Sequence, residues 1–278
     1  AQAAAHRQLD FLLALARNVS QEPKKQDLDA HCCHLNRRVL QDCRFEDFRY
    51  EPPRAAHQAR RVLLKPNLGY PFPPPVTVSI PVLARVIEGV RRVAPRAEIL
   101  IVEGVCHALP AREIVTRLGL PQLLTEGVHF LDADTLPARQ YGALWAPALL
   151  TEVDCRISVA AYKKTILNGR PLISASIKNL YGLFPRARYR ARSPHSRGQL
   201  HRPDIHRRIA QVYREIGVLF NGAVVDLRLT FESTDWRPDR GRAREIGQVV
   251  WGEHLPAVDA RACAIMGDLL PEYLTALE

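Results

Sequence analysis

Arg61-Val62-Leu63-Leu64-Lys65-Pro66-Asn67-Leu68-Gly69 decides how this chain is read. Its apolar run is too short for a helix and suits a strand buried on both faces. Pro66-Asn67-Leu68-Gly69 breaks that strand into a turn. A proline-rich loop, Tyr70 to Pro75, follows. Over Val78–Val93 the residues Ile80, Leu83, Ala84, Ile87 and Val90 recur at helical spacing and share one face. Glu98–Val102 is a second apolar run of strand length, closed by Glu103-Gly104.

The same alternation continues outward. Pro110–Leu118 reads as a helix with proline at its start. Val128–Leu131, Cys155–Ala160, Leu172–Ile177, Ala223–Asp226 and Gly247–Trp251 read as strands. Asp204–Phe220 is an amphipathic helix on Ile205, Ile209, Val212, Ile216 and Leu219, and Pro256–Met266 is a last helix. Strands alternating with helices predict an α/β fold, a Rossmann-like open, mainly parallel sheet with helices on both faces. Residues 1–54 read as a helical N-terminal segment, with Leu9, Leu12, Leu13, Leu15 and Ala16 at helical spacing. Residues 55–278 read as the α/β domain, with an Arg-rich loop at about 186–202.

Composition bounds the function. The chain has 278 residues, 47% of them hydrophobic, which suits a globular protein. No apolar run reaches the roughly 18–20 residues that span a bilayer, so a soluble protein is expected. Ala1 to Ala5 would suit either a trimmed start or the residues after an export cleavage site, and a cytoplasmic place is expected. Eight arginines against Asp204 alone, from Arg186 to Arg208, supply most of the net charge of +10. A uniformly basic chain would suggest a nucleic-acid surface; a local basic segment suggests a loop over an anionic ligand. Only Tyr189 interleaves with these arginines, which is poor for base stacking, so nucleic acid is not the expected partner. His31, Cys32, Cys33, His34 and Cys43 could ligate a metal, but adjacent cysteines fit ligand geometry poorly. The phosphate-binding, dinucleotide, nucleophile-elbow and zinc-protease motifs are absent.

In open α/β sheets ligands bind beyond the carboxyl ends of the strands. The residues there are Lys65 and Asn67; Glu103; Lys163, Lys164 and Thr165; Lys178 and Asn179; and Asp226. Cations and amides suit a carboxylate or phosphate. A lysine of lowered pKa can also act as a base or form a Schiff base. Lys163 and Lys164 would point to opposite sides of an extended segment, so one of the two faces a ligand. Glu103 and Asp226 could hold a divalent metal or serve in proton transfer. His195, His201 and His206 stand in or beside the Arg-rich segment.

These residues resemble a known family. Leu63-Leu64-Lys65-Pro66-Asn67 is similar to the lysine-proline-asparagine signature of the domain of unknown function 362 proteins. Tyr162-Lys163-Lys164-Thr165 resembles that family's lysine-threonine segment, with Lys164 the better match. Ser176 to Pro185 resembles its lysine-asparagine-aromatic-glycine block, and His201 or His206 the histidine that follows. Val258-Asp259-Ala260 and Met266-Gly267 resemble its C-terminal helix. The resemblance implies an α/β fold and a site rather than a reaction. Lys178, Asn179, Lys164 and His201 are expected to be catalytic, and Lys65, Asn67, Lys163 and Thr165 to bind ligand. Glu103 and Asp226 are the expected carboxylates for a divalent metal. Some relatives carry ferredoxin-like cysteine clusters; this chain has none, so no built-in iron–sulfur cluster is expected. The reading is an enzyme acting on a small anionic molecule, metal-assisted or not. The alternatives are a redox or metallocentre-associated protein, and a binder of nucleic acid or an acidic partner through the Arg-rich loop.

Overall fold

Five parallel strands carry the fold. They are β2 (Arg61–Pro66), β3 (Glu98–Glu103), β4 (Val128–Asp132), β7 (Cys155–Leu167) and β9 (Gly222–Ser233). The computed structural model describes residues 40–277 apart from Asn168 and Trp236. In space the parallel strands run β4-β3-β2-β7-β9. The chain leaves β2 toward β3 and β4, then returns to build β7 and β9 on the other side. The strand order therefore reverses at β2 and β7, the topological switch where α/β sheets open a crevice.

Antiparallel additions complete the sheet. β10 (Arg242–Gly252) pairs with β9, and β1 (Leu40–Arg44) pairs with β10 at the edge. β8 (Arg170–Ser174) pairs with the far end of β7. A separate hairpin joins β5 (Ala138–Tyr141) and β6 (Leu144–Pro147). The mainly parallel α/β architecture expected from the alternation is the one observed. The helical reading of residues 1–54 is corrected where it can be seen, because 40–44 is an edge strand of the main sheet. Its Leu40-Gln41-Asp42-Cys43-Arg44 carries the polar residues that an edge tolerates. The Leu9–Ala16 helix and the His31–His34 cluster lie outside the described residues.

Both faces of the sheet are buried, as the period of two requires. Val62, Leu64, Ile99 and Ile101 point to one face, where α1 (Ile80–Val93) and α2 (Ala111–Arg117) cover them. Leu63, Leu100, Val102, Ala160 and Tyr162 point to the other. There α5 (Ile205–Glu215), α6 (Leu255–Met266) and α7 (Glu272–Thr275) pack. Asp204 caps α5 by accepting from the amides of His206 and Arg207 at 2.8 and 3.1 Å. Among the described residues no helix is long and apolar enough to cross a membrane.

Candidate active site

A cleft of about 580 Å³ opens at the switch point. It lies between the carboxyl ends of β2 and β3 and the arm that β7 and β8 make beyond the parallel sheet. Its volume suits a small molecule. Lys65, Asn67, Glu103, Lys163, Thr165, Lys178, Asn179 and His201 all line it. These eight residues come from segments spread between Lys65 and His201, brought together by the strand order.

The deepest part is an ion pair. Lys65 Nζ lies 2.8 Å from Glu103 Oε1, and both side chains are almost wholly buried. Burial pulls the Lys65 ammonium below its ordinary value, and the Glu103 carboxylate holds it up. Lys65 also donates to the carbonyl of Pro66 at 2.7 Å and to Asn179 Oδ1 at 3.3 Å. Its three N–H groups are thus matched by three acceptors. Glu103 accepts from the amides of Leu68 at 2.6 Å and Gly104 at 2.8 Å. Asn179 Nδ2 donates to the Lys65 carbonyl at 2.7 Å and to Ser158 Oγ at 3.1 Å. Lys65, Glu103 and Asn179 form a self-satisfied floor.

Gly182 is required by that floor. A Cβ there would stand 2.1 Å from Glu103 Oε1 and 2.7 Å from Lys65 Nζ. Gly182→Ala must therefore part the ion pair or move the backbone, and we expect a loss of about 1–3 kcal/mol. Urea unfolding of the purified chain checks this; an unchanged midpoint would show that the floor can yield without cost.

Above the floor stand two lysines of different situation. Lys163 donates to Asn67 Oδ1 and to the carbonyl of Val76. Removal from water, then the charge of Lys178, brings its pKa down to about 7. Lys178 makes no hydrogen bond or ion pair among the described residues, and its ammonium faces the Tyr181 ring at 5.2 Å from the centroid. Burial lowers its pKa to about 8. His201 places Nδ1 3.3 Å from the Arg197 carbonyl, and burial with the nearby Lys178 charge brings it down to about 4. It is neutral at neutral pH.

Lys178 and Asn179 are held from below. They lie in the single turn α3 (Ser176–Asn179), not directly behind a parallel strand. The buried Asp259 of α6 accepts from the amides of Ser176 and Ile177 at 2.7 and 3.2 Å, and from Ser176 Oγ at 2.5 Å. Tyr273 donates to the same carboxylate at 2.9 Å. Four donors converge there although burial raises its pKa to about 6. The C-terminal helix thereby fixes the turn that carries both residues.

Two expectations are corrected. Lys164 does not face the cleft. Successive side chains of β7 alternate, so Tyr162 and Lys164 both reach Asp268 on the opposite face, at 2.7 and 2.5 Å. Lys163 is the lysine that lines the cleft. Asp226 is not beside Glu103 either. β9 continues to Ser233, so Asp226 sits inside the strand. There it accepts from Ser79 Oγ at 2.6 Å, from the Ser79 amide at 3.0 Å and from the Arg228 amide at 2.9 Å. It ties the start of α1 to the sheet. The pair thus does not assemble as metal ligands, and no group of three or more His, Cys, Asp or Glu among the described residues is placed to hold a metal ion. Of the two candidate histidines, His201 lines the cleft, while His206 stacks on Tyr273 at 6.4 Å within the core.

Other cleft residues escaped sequence reasoning. Arg197 is 3% exposed and donates to the carbonyls of Gly104 and Val105 at 3.0 and 3.1 Å. It also reaches Cys106 Sγ at 3.2 Å, and Cys106 lines the cleft. Asp134 receives both Arg197, at 3.2 Å, and Arg186, at 2.6 Å. The Arg-rich segment is thereby pinned across the cleft, with a short helix, α4 (Arg186–Tyr189), at its start. Nothing in the run of eight arginines singles out Arg197, whose partners on Gly104, Val105, Cys106 and Asp134 lie 63 to 93 positions away.

A family model described as domain of unknown function (DUF362) matches residues 62–264. No curated protein matches the sequence. Among solved structures, the chain is similar to the lactate racemase apoprotein from Thermoanaerobacterium thermosaccharolyticum. The identity is 13% and the TM-score 0.45, over 79% of this chain. The match spans 52% of that structure's chain, about half its length.

Proposed function

This chain belongs to the DUF362 family, and from the cleft that its matched region builds we propose that it is an enzyme acting on a small carboxylate or phosphate. The observation that carries this reading is the pair of Lys163 and Lys178 in one concave site with no carboxylate committed to either among the described residues. Glu103 is spent on Lys65. Amines partly removed from water attract an anion, and binding one offsets the loss of solvation that depresses them.

The two lysines divide the work. Among the described residues Lys178 has no hydrogen-bonding acceptor of its own, and it offers its ammonium to the anion. Lys163 donates to two fixed acceptors. A neutral amine has two N–H groups and one lone pair, so those two bonds leave the lone pair to take a proton from the ligand. A pKa of about 7 suits a base at neutral pH. Neutral His201 supplies a further polar contact without adding charge. In this assignment Thr165 and Asn67 shape and orient, and the buried floor keeps the site rigid.

The reading is tested by melting the full chain with acetate, succinate or inorganic phosphate at low ionic strength. Anions are expected to raise the melting temperature where uncharged analogues do not. A chain indifferent to all three would sink the proposal. Affinity is also expected to fall with pH. Lys178, the ammonium that meets the anion, loses its proton near about pH 8, so the attraction fades as pH rises. Binding in that window takes up protons, seen in calorimetry as a heat that depends on the buffer. Affinity unchanged from about pH 6 to about pH 9 would contradict the assignment.

A further inference from the structure

We propose that the ligand is a two-ended anion: one acidic group meets Lys163 and Lys178 in the cleft, and a second, separated group meets Arg202 and Arg237 at its mouth. This deepens the reading of the cleft as an anion site and rests on it.

Arg202 and Arg237 both line the cleft and both are exposed, so they stand at its rim. They come from different parts of the chain. Arg202 follows the Gly198–His201 turn that closes the Arg-rich segment. Arg237 lies in the connection between β9 and β10. Neither guanidinium has a hydrogen bond or ion pair among the described residues. Asp235 is the carboxylate beside them, and its Oδ1 accepts from the Arg237 amide at 2.8 Å. Cations thus outnumber carboxylates at the rim as they do inside.

Apolar side chains, among them Val76, Ala161, Leu172 and Phe231, also line the cleft. A single carboxylate or phosphate bound at the lysines would fill a small part of about 580 Å³ and leave the rim unmet. A molecule with two acidic groups joined by a short carbon chain matches the lysines, the rim and the apolar lining. Dicarboxylates and phosphorylated carboxylates share this chemistry.

The test uses calorimetry on the full chain at low ionic strength. Acetate is compared with succinate, glutarate and adipate, and inorganic phosphate with 3-phosphoglycerate; the two series separate a dicarboxylate from a phosphorylated ligand. One two-ended anion of matching length is expected to bind about ten-fold tighter than its counterpart with a single acidic group. In the Arg202→Ala/Arg237→Ala variant that ratio is expected to fall to near one. Arg190→Ala/Arg192→Ala, which removes equal charge from exposed positions outside the cleft lining, is expected to preserve it. A parent with no preference for dianions, or a preference that survives loss of both rim arginines, would overturn the inference while the cleft remains an anion site. Failure of every probe, mono- or dianionic, would remove both.

Discussion

Lys178→Ala abolishes the stabilisation of this protein by small anions and leaves the unliganded chain melting at or slightly above the parent's temperature. The basis is the lysine's isolation: among the described residues its ammonium has the Tyr181 ring for company and no carboxylate. The ion-pairing alternatives are already taken, since Glu103 holds Lys65 and Asp226 holds Ser79. A lysine whose pKa is lowered on folding binds protons less well in the folded state than in the unfolded chain. Between its folded value of about 8 and the ordinary value, stability therefore rises with pH, and below that window its charge weighs against folding. Truncation removes that burden. Losing the partner of a buried anion costs about 2–5 kcal/mol of binding, roughly 30-fold or more in affinity. Melting curves with and without succinate read both quantities at once. A variant that melts several degrees lower and still responds to the anion would make Lys178 a brace rather than a ligand contact.

Glu103→Ala has the opposite signature, with a large loss of stability. It leaves the wholly buried Lys65 ammonium without its countercharge. It also orphans the amides of Leu68 and Gly104. Breaking one side of a buried pair costs about 3–5 kcal/mol. For a domain of this size that lowers the melting temperature by roughly 10 °C. Replacing both partners, as in Lys65→Met/Glu103→Leu, should recover part of the loss by removing the stranded charge. Recovery stays incomplete because the two amides remain unpaired. Thermal unfolding of the three variants decides the matter; a Glu103→Ala protein as stable as the parent would mean that water or a loop shift compensates the pair.

The sheet and its main helices were legible because burial writes periodicity into sequence. Leu63 and Leu64 face opposite cores, so β2 reads as a continuous apolar run, and α1 shows a single apolar face. Strand ends were harder. β7 and β9 run on past their apolar stretches into arms that mix polar and apolar side chains, and these look like loops. That is why Asp226 seemed to follow a strand while lying within it. The rule that ligands gather at strand ends located Lys65, Asn67, Glu103 and the Lys178 turn in one cleft. It could not choose between Lys163 and Lys164, which parity decides. Family resemblance favoured Lys164, whereas the structure turns that residue to Asp268. Roles within the cleft depend on distant pairings. Only the folded chain shows that Asn179 and Glu103 complete the shell of Lys65, or that Asp259 anchors the turn bearing Lys178.

The double clamp of Arg186 and Arg197 on Asp134 has a kinetic corollary. Both ends of residues 187–196 are fastened to one carboxylate, so this stretch opens as a unit or stays shut. Ligand then enters through a mouth already formed, and little chain ordering is charged against its affinity. Association should be a single fast phase whose rate falls with added salt, as for an anion drawn into a positive funnel. Amide exchange across 187–196 should be correlated, and Asp134→Ala should quicken it together along the whole stretch.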